Sequence, residues 1–171
     1  MNSEAGPRLV TVSNRVAIPK RRGAAAGGLA VGVLAALEEH GGMWFGWDGK
    51  LTSKKSSNVD VVTKDNIDFA TMSLNKDDFE RYYNGYSNRV LWPVCHYFLS
   101  YIYYSQEDFD AYLRVNAQFA HNLATLLKPD DIIWVHDFHL IPLASELRKA
   151  GVKNPIGFFL HIPFPSYDAF R

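Results

Sequence analysis

The 171-residue chain has a single cysteine, Cys95, so no disulfide can close within it, which fits a reducing compartment. No Asn-x-Ser/Thr acceptor occurs, and no N-terminal segment runs from charged through apolar to small residues as a secretory signal does. The longest apolar helical stretch, Leu29 to Leu37, is too short to span a bilayer. Together these absences predict a cytoplasmic protein with no membrane partner. Excess charge is missing too: 18 basic residues cancel 18 acidic ones. No global field therefore gathers nucleic acid or anionic lipid, and any anion site must be local. Neither G-x-G-x-x-G nor G-x-x-x-x-G-K-[ST] is present, which disfavours a dinucleotide-dependent dehydrogenase and a P-loop nucleotidase.

What is present is a globular balance, 47% hydrophobic against 21% charged, with 14% aromatic residues. Most of those rings suit a core, but flat apolar faces with polar edges also suit a pyranose. Arg8 to Ser13 reads as a strand apolar on both faces, ending at Asn14-Arg15. A basic loop, Lys20-Arg21-Arg22, leads to Gly27-Gly28 and a helix carrying Leu29, Val33, Leu34 and Leu37, closed by Gly41-Gly42. Met43 to Trp47 is the next strand, and short strands are predicted near 59–62 and 69–72. A short helix is predicted over 77–83, while 89–104 has no clear period. A long helix follows from 106 to 127, with Phe109, Tyr112, Asn116, Phe119 and Leu123 on one face. Asp131 to Asp137, 142–149 and 156–161 then read strand, helix, strand, a βαβ unit with parallel strands. The expected fold is α/β, an open doubly wound parallel sheet.

Such sheets bind ligands beyond the carboxyl ends of their strands. Three strands here end in polar residues, at Asn14-Arg15, His136-Asp137 and His161. That shared position makes Arg15, Asp137 and His161 site candidates. Gly27 and Gly28 let backbone amides approach an anion at a positive helix end, and a diphosphate is the natural guest. His136, His139 and His161 could suggest a metal-dependent hydrolase, but neighbours at a strand end diverge and no carboxylate-rich segment lies nearby. No metal and no other cofactor is expected. Cys95, beside His96 and taken as part of an extended segment, is expected to be a buried structural thiol.

Seven blocks in order resemble the trehalose-6-phosphate synthase family, retaining glycosyltransferases of the GT-B fold. They are Val12-Ser13-Asn14-Arg15; Ala26-Gly27-Gly28-Leu29-Ala30; Trp44-Phe45-Gly46-Trp47; Tyr82-Tyr83-Asn84 with Ser87-Asn88 and Leu91-Trp92-Pro93; Tyr112-Leu113-Arg114-Val115-Asn116; Trp134 to Leu140; and Phe158 to Pro165. The resemblance implies the reaction of UDP-glucose with glucose 6-phosphate to give trehalose 6-phosphate and UDP. It implies that Arg15 holds the phosphate of glucose 6-phosphate, that Tyr83 and Trp92 join that acceptor site, and that Asp137 contacts acceptor hydroxyls. It places Gly27 and Gly28 at the donor diphosphate, and His161 beside the transferred glucose, where it positions rather than ionises. Asp137 and His161 are thus the residues nearest the chemistry. Family members continue into a second Rossmann-like domain. Residues 1–171 are therefore expected to be a truncated, N-terminal acceptor-binding domain without its donor-binding C-terminal domain. The partners implied are the two small substrates, with room for a homo-oligomer in the full-length enzyme. A module that senses glucose 6-phosphate without turnover is the competing expectation.

Overall fold

The computed structural model describes residues 6–18, 28–53 and 58–170. Gly27 and the basic loop Lys20-Arg21-Arg22 lie outside those residues. The strands are β1 (Leu9–Arg15), β2 (Gly42–Thr52), β3 (Val59–Lys64), β4 (Ile67–Asn75), β5 (Ile132–His136) and β6 (Ile156–Phe159). They form one sheet in the order β3-β4-β2-β1-β5-β6. All neighbours run parallel except the edge pair β3 and β4. Helix α1 (Gly28–His40) follows β1, and α2 (Lys76–Phe79), a π-helical stretch Glu80–Leu91, and α3 (Trp92–Cys95) follow β4. The longest helix, α4 (Gln106–Ala124), precedes β5, and α5 (Leu143–Lys149) joins β5 to β6.

The centre of the sheet is covered on both faces, which is why β1 and β2 carry apolar residues without alternation, while the edge strands β3 and β6 stay largely exposed. Adjacent residues in a strand point to opposite sides, and β2 uses both. Trp44 packs with Val33, Leu34 and Leu37 of α1. Phe45 packs with Val10, Val12 and Phe119 on the other face, where its ring meets Phe119 edge-on at 5.7 Å. Trp44 also donates its indole N–H to Ser13 Oγ at 2.8 Å, so the one polar atom of a fully buried ring is satisfied. Gly46 has no alternative: a Cβ there would lie 2.2 Å from the Ser13 carbonyl oxygen of β1.

Helix α4 starts at Ser105, whose side chain accepts from the Asp108 N–H at 3.3 Å, with Glu107 and Asp108 in the first turn. It buries Tyr112, Asn116, Phe119 and Leu123 as its period requires. At the amino end of the sheet, Arg8 makes two hydrogen bonds to the Asp131 carboxylate, at 3.0 and 2.7 Å, tying the entry of β1 to that of β5. Asn154 Nδ2 donates to the carbonyls of Lys128, Pro129 and Asp131, closing the same end.

Three sequence expectations change. The strands near 59–62 and 69–72 are longer and form an antiparallel hairpin turned by Asp65 and Asn66, both at positive φ, so the sheet is mixed at that edge. The short helix expected over 77–83 is the start of a helical run that continues to Cys95, through much of the segment that showed no period. Cys95 therefore closes a short helix rather than sitting in an extended segment. It remains a buried thiol, and burial pushes its pKa up.

Candidate functional site

The chain leaves β1 toward β2 on one side and returns to β5 on the other, so the strand order reverses between β1 and β5. Open α/β sheets open a crevice at that point. Here it has a volume of about 310 Å³ and is lined by Asn14 and Arg15 from β1, His136, Asp137 and His139 around the end of β5, and Gly28, Leu29 and Ala30 from the first turn of α1. Of the expected site residues, Arg15, Gly28 and Asp137 thus share one cavity.

Arg15 makes no ion pair or hydrogen bond through its guanidinium among the described residues; that group lies over the Trp47 ring, 5.7 Å from its centre. Gly49 makes room for it, since a Cβ at that position would meet the guanidinium at 3.0 Å. A cation held over a ring and left without a carboxylate is available to an anion entering the crevice.

Asp137 has φ 76° and ψ 166°, a region that L-residues other than glycine rarely enter. The surroundings hold it there. Its N–H donates to the Phe159 carbonyl at 2.8 Å, and its Oδ1 accepts from the Phe138 N–H at 3.0 Å and the His161 N–H at 3.4 Å. The next two carbonyls are fastened by α4: Tyr112 donates to Phe138 O at 2.7 Å and Asn116 Nδ2 to His139 O at 3.1 Å. A residue strained in this way costs about 1–3 kcal/mol. Replacing Asp137 by Gly is therefore expected to give a protein melting roughly 2–8 °C above the Ala variant, the reverse of the usual order of these two residues. Thermal melts of the two variants decide this, and equal midpoints would remove the strain from the account.

His136 is 1% exposed, and its Nδ1 lies 2.9 Å from His161 Nε2. His139 is 8% exposed, stacked on Tyr83 at 5.2 Å and against Phe138 at 4.0 Å, and neither of its buried ring nitrogens has a partner among the described residues. Burial lowers the pKa of both rings to about 4, so both are neutral near pH 7; His161 adds to the effect on His136. Both residues line the crevice, so neutral rings rather than cations form that part of its wall. Sequence reading treated His136 and His139 only as a discarded metal set. Among the described residues, no three His, Cys, Asp or Glu side chains gather as metal ligands.

Tyr83 reaches the site edge through its stack on His139 and on Phe79, whose ring in turn packs on Trp47 at 4.8 Å. His161 is joined to it by His136 and by its backbone bond to Asp137. Trp92 does not line the crevice. It stands 38% exposed, stacked on His96 at 4.0 Å, in a neighbouring hollow with Asn88, Arg89, Phe98 and Tyr101. Asn14, which sequence reading passed over, is fixed by a 2.9 Å bond from the Tyr82 hydroxyl to its Oδ1.

A profile of glycosyltransferase family 20 matches residues 8–171. The chain is 52% identical over 164 residues to the trehalose-6-phosphate synthase of Klebsiella pneumoniae subsp. pneumoniae, a match covering 96% of this chain and 34% of that protein. It is similar to the alpha,alpha-trehalose-phosphate synthase (UDP-forming) of Burkholderia xenovorans in complex with glucose-6-phosphate. The TM-score there is 0.88 at 53% identity, over 95% of this chain and 36% of the other. An Escherichia coli structure bound with UDP-2-fluoro glucose matches with a TM-score of 0.87 at 52% identity, over 95% of this chain and 35% of that one. The chain spans about a third of the length of these relatives. Fold, motif order and profile agree, and the chain belongs to glycosyltransferase family 20.

Proposed function

We propose that the chain is the acceptor-binding part of an enzyme that moves glucose from UDP-glucose to glucose 6-phosphate with retention, giving trehalose 6-phosphate and UDP. The observation that carries this reading is the crevice between β1 and β5. A guanidinium unpaired among the described residues and a helix N-terminus, both suited to phosphates, face one cavity with a strained carboxylate that can accept from sugar hydroxyls. The relatives solved with glucose-6-phosphate and with UDP-2-fluoro glucose support the two substrates.

In this reading Arg15 holds the acceptor's phosphate, and Tyr83 and Trp92 complete the acceptor site from beside the crevice. Asp137 accepts from its hydroxyls and fixes the attacking oxygen. The amides at Gly27 and Gly28 meet the diphosphate, where the α1 dipole favours negative charge. His161, tied to His136, orients the transferred glucose. Retention by a glycosidase needs a carboxylate nucleophile. Here the acceptor hydroxyl attacks from the face the diphosphate leaves, and a diphosphate oxygen takes the proton. Catalysis is then positioning and stabilisation of the leaving group's charge. The cations that finish that stabilisation belong to a second domain, which makes residues 1–171 the acceptor-side part of the enzyme.

The test is an NMR titration of the chain with glucose 6-phosphate and with glucose. We expect glucose 6-phosphate to bind at least tenfold more tightly, one charge-assisted contact being worth about 1.5–3 kcal/mol. Equal affinity for the two, or none for either, would overturn the reading.

A further inference from the structure

The helical run from Lys76 to Cys95 changes pitch in its middle. Glu80–Leu91 is π-helical, the form in which N–H groups reach the carbonyl five residues back, and the pattern persists into the next helix, where Trp92 N–H donates to Ser87 O. Single π-turns are the common form of this geometry, and they occur frequently at functional sites. Twelve residues of it here have a geometric consequence. Tyr83 and Trp92 are nine residues apart. In an α-helix that is about two and a half turns, which puts them on opposite sides. At roughly 4.4 residues per π-turn it is about two turns, which puts them in line. Asn88 lies five residues after one and four before the other, on the same line.

Tyr82, Ser87, Leu91 and Cys95, spaced at that pitch, are buried, as are Gly85, Val90 and Pro93 beside them. The run is pinned by contacts that fix its rotation. The Tyr82 hydroxyl donates to Asn14 at the end of β1, and Arg114 of α4 holds the Asp78 carboxylate at 2.7 Å. A Cβ at Gly85 would lie 2.6 Å from the Asp108 carboxylate, so the glycine sets how closely the stretch approaches α4. Along this line, no hydrogen bond among the described residues engages the Tyr83 hydroxyl, the Asn88 amide or the Trp92 indole N–H, and the Tyr83 ring is held between Phe79 and His139. Asn88 is half-buried and shares the hollow of about 390 Å³ with Trp92 and Arg89.

We propose that Asn88 is a further ligand of the acceptor's phosphate end, donating its side-chain amide between Tyr83 and Trp92, and that the π pitch of Glu80–Leu91 brings the three donors into one line. This rests on the reading of the crevice as an acceptor site. A planar amide donates directionally to a phosphate oxygen without adding charge, so it sharpens placement where Arg15 supplies attraction. Built with α pitch, the same sequence would turn Trp92 away from Tyr83 and break the line.

The experiment titrates glucose 6-phosphate and glucose into the ¹⁵N-labelled chain, following backbone and indole N–H signals, which also report folding. The variants are Asn88→Ala, Asn88→Asp and Asn84→Asp. Asn84 lies one residue from Tyr83 but off the line, and its amide is engaged by Glu80 at 2.8 Å. We expect Asn88→Ala to weaken glucose 6-phosphate about fivefold and Asn88→Asp tenfold or more, with glucose unchanged and Asn84→Asp within twofold of wild type. Folded Asn88 variants that bind as tightly as wild type would overturn the proposal. So would equal losses at 84 and 88, which would mean a general effect of added negative charge. A wild-type chain that fails to prefer glucose 6-phosphate would overturn the acceptor-site reading, and this inference with it.

Discussion

Lowering the pH from 7 to 4.5 is expected to remove a large part of the chain's folding stability, through His136 and His139. Burial holds both imidazoles at about 4 in the folded protein, against about 6.5 when unfolded. Between those values the unfolded chain binds protons that the folded one refuses. Stability therefore rises with pH across the window and falls as pH drops from 6.5 toward 4. Integrated over the window, each ring contributes up to about 3 kcal/mol. A domain of this size is stable by only about 5–15 kcal/mol. The Asp137 carboxylate works against the effect, since it favours the charged form of both rings, but burial outweighs it. His139→Phe keeps a flat ring between Tyr83 and Phe138 and removes one titration. Urea unfolding at pH 7.5 and 4.5 should show wild type losing several kcal/mol and this variant about half as much. A variant that loses as much as wild type would assign the acid sensitivity to other groups.

How much of this could be read before the fold was known depends on the element. β1, β5 and β6 were legible because each is an apolar run, buried in β1 and at the edge of the sheet in β6, and a polar residue at the end of each stands out against the run. That is why Arg15, Asp137 and His161 emerged together. The structure adds the switch point that places Arg15 and Asp137 in one crevice. The π-helical stretch was not legible. Its line of Tyr83, Asn88 and Trp92 matches neither a 3.6 nor a 2.0 period, and a pattern search built on those two periods sees only irregularity. The backbone of Asp137 was not legible either, because strain is imposed from outside, by Tyr112 and Asn116 on a helix far away in sequence. His139 was visible as a residue but not as a wall of the cavity. Its position depends on the turn that Asp137 makes.

Arg15→Ala is expected to weaken glucose 6-phosphate by roughly 10- to 150-fold, the value of a charge-assisted contact of about 1.5–3 kcal/mol, while leaving glucose affinity and folding stability nearly unchanged. The expectation follows from where the guanidinium is and from what it lacks. A competing reading has Arg15 bracing the sheet against a carboxylate such as Asp137. In that case its removal would destabilise the fold and weaken every ligand alike. Among the described residues Arg15 has no such partner, and its guanidinium lies against the Trp47 ring and the Gly49 backbone. The ion pair at the opposite end of β1, Arg8 with Asp131, shows what a bracing arginine looks like here: two short bonds to one carboxylate, with Arg8's pKa raised chiefly by them. Arg15→Lys separates charge from shape. It keeps the positive charge but loses the planar fork that matches two phosphate oxygens, so its affinity should fall between wild type and Ala. Calorimetric or NMR titrations with the two sugars, beside a urea melt of each variant, measure all of this. A ratio of glucose 6-phosphate to glucose affinity that Arg15→Ala leaves unchanged would show that this arginine does not read the phosphate.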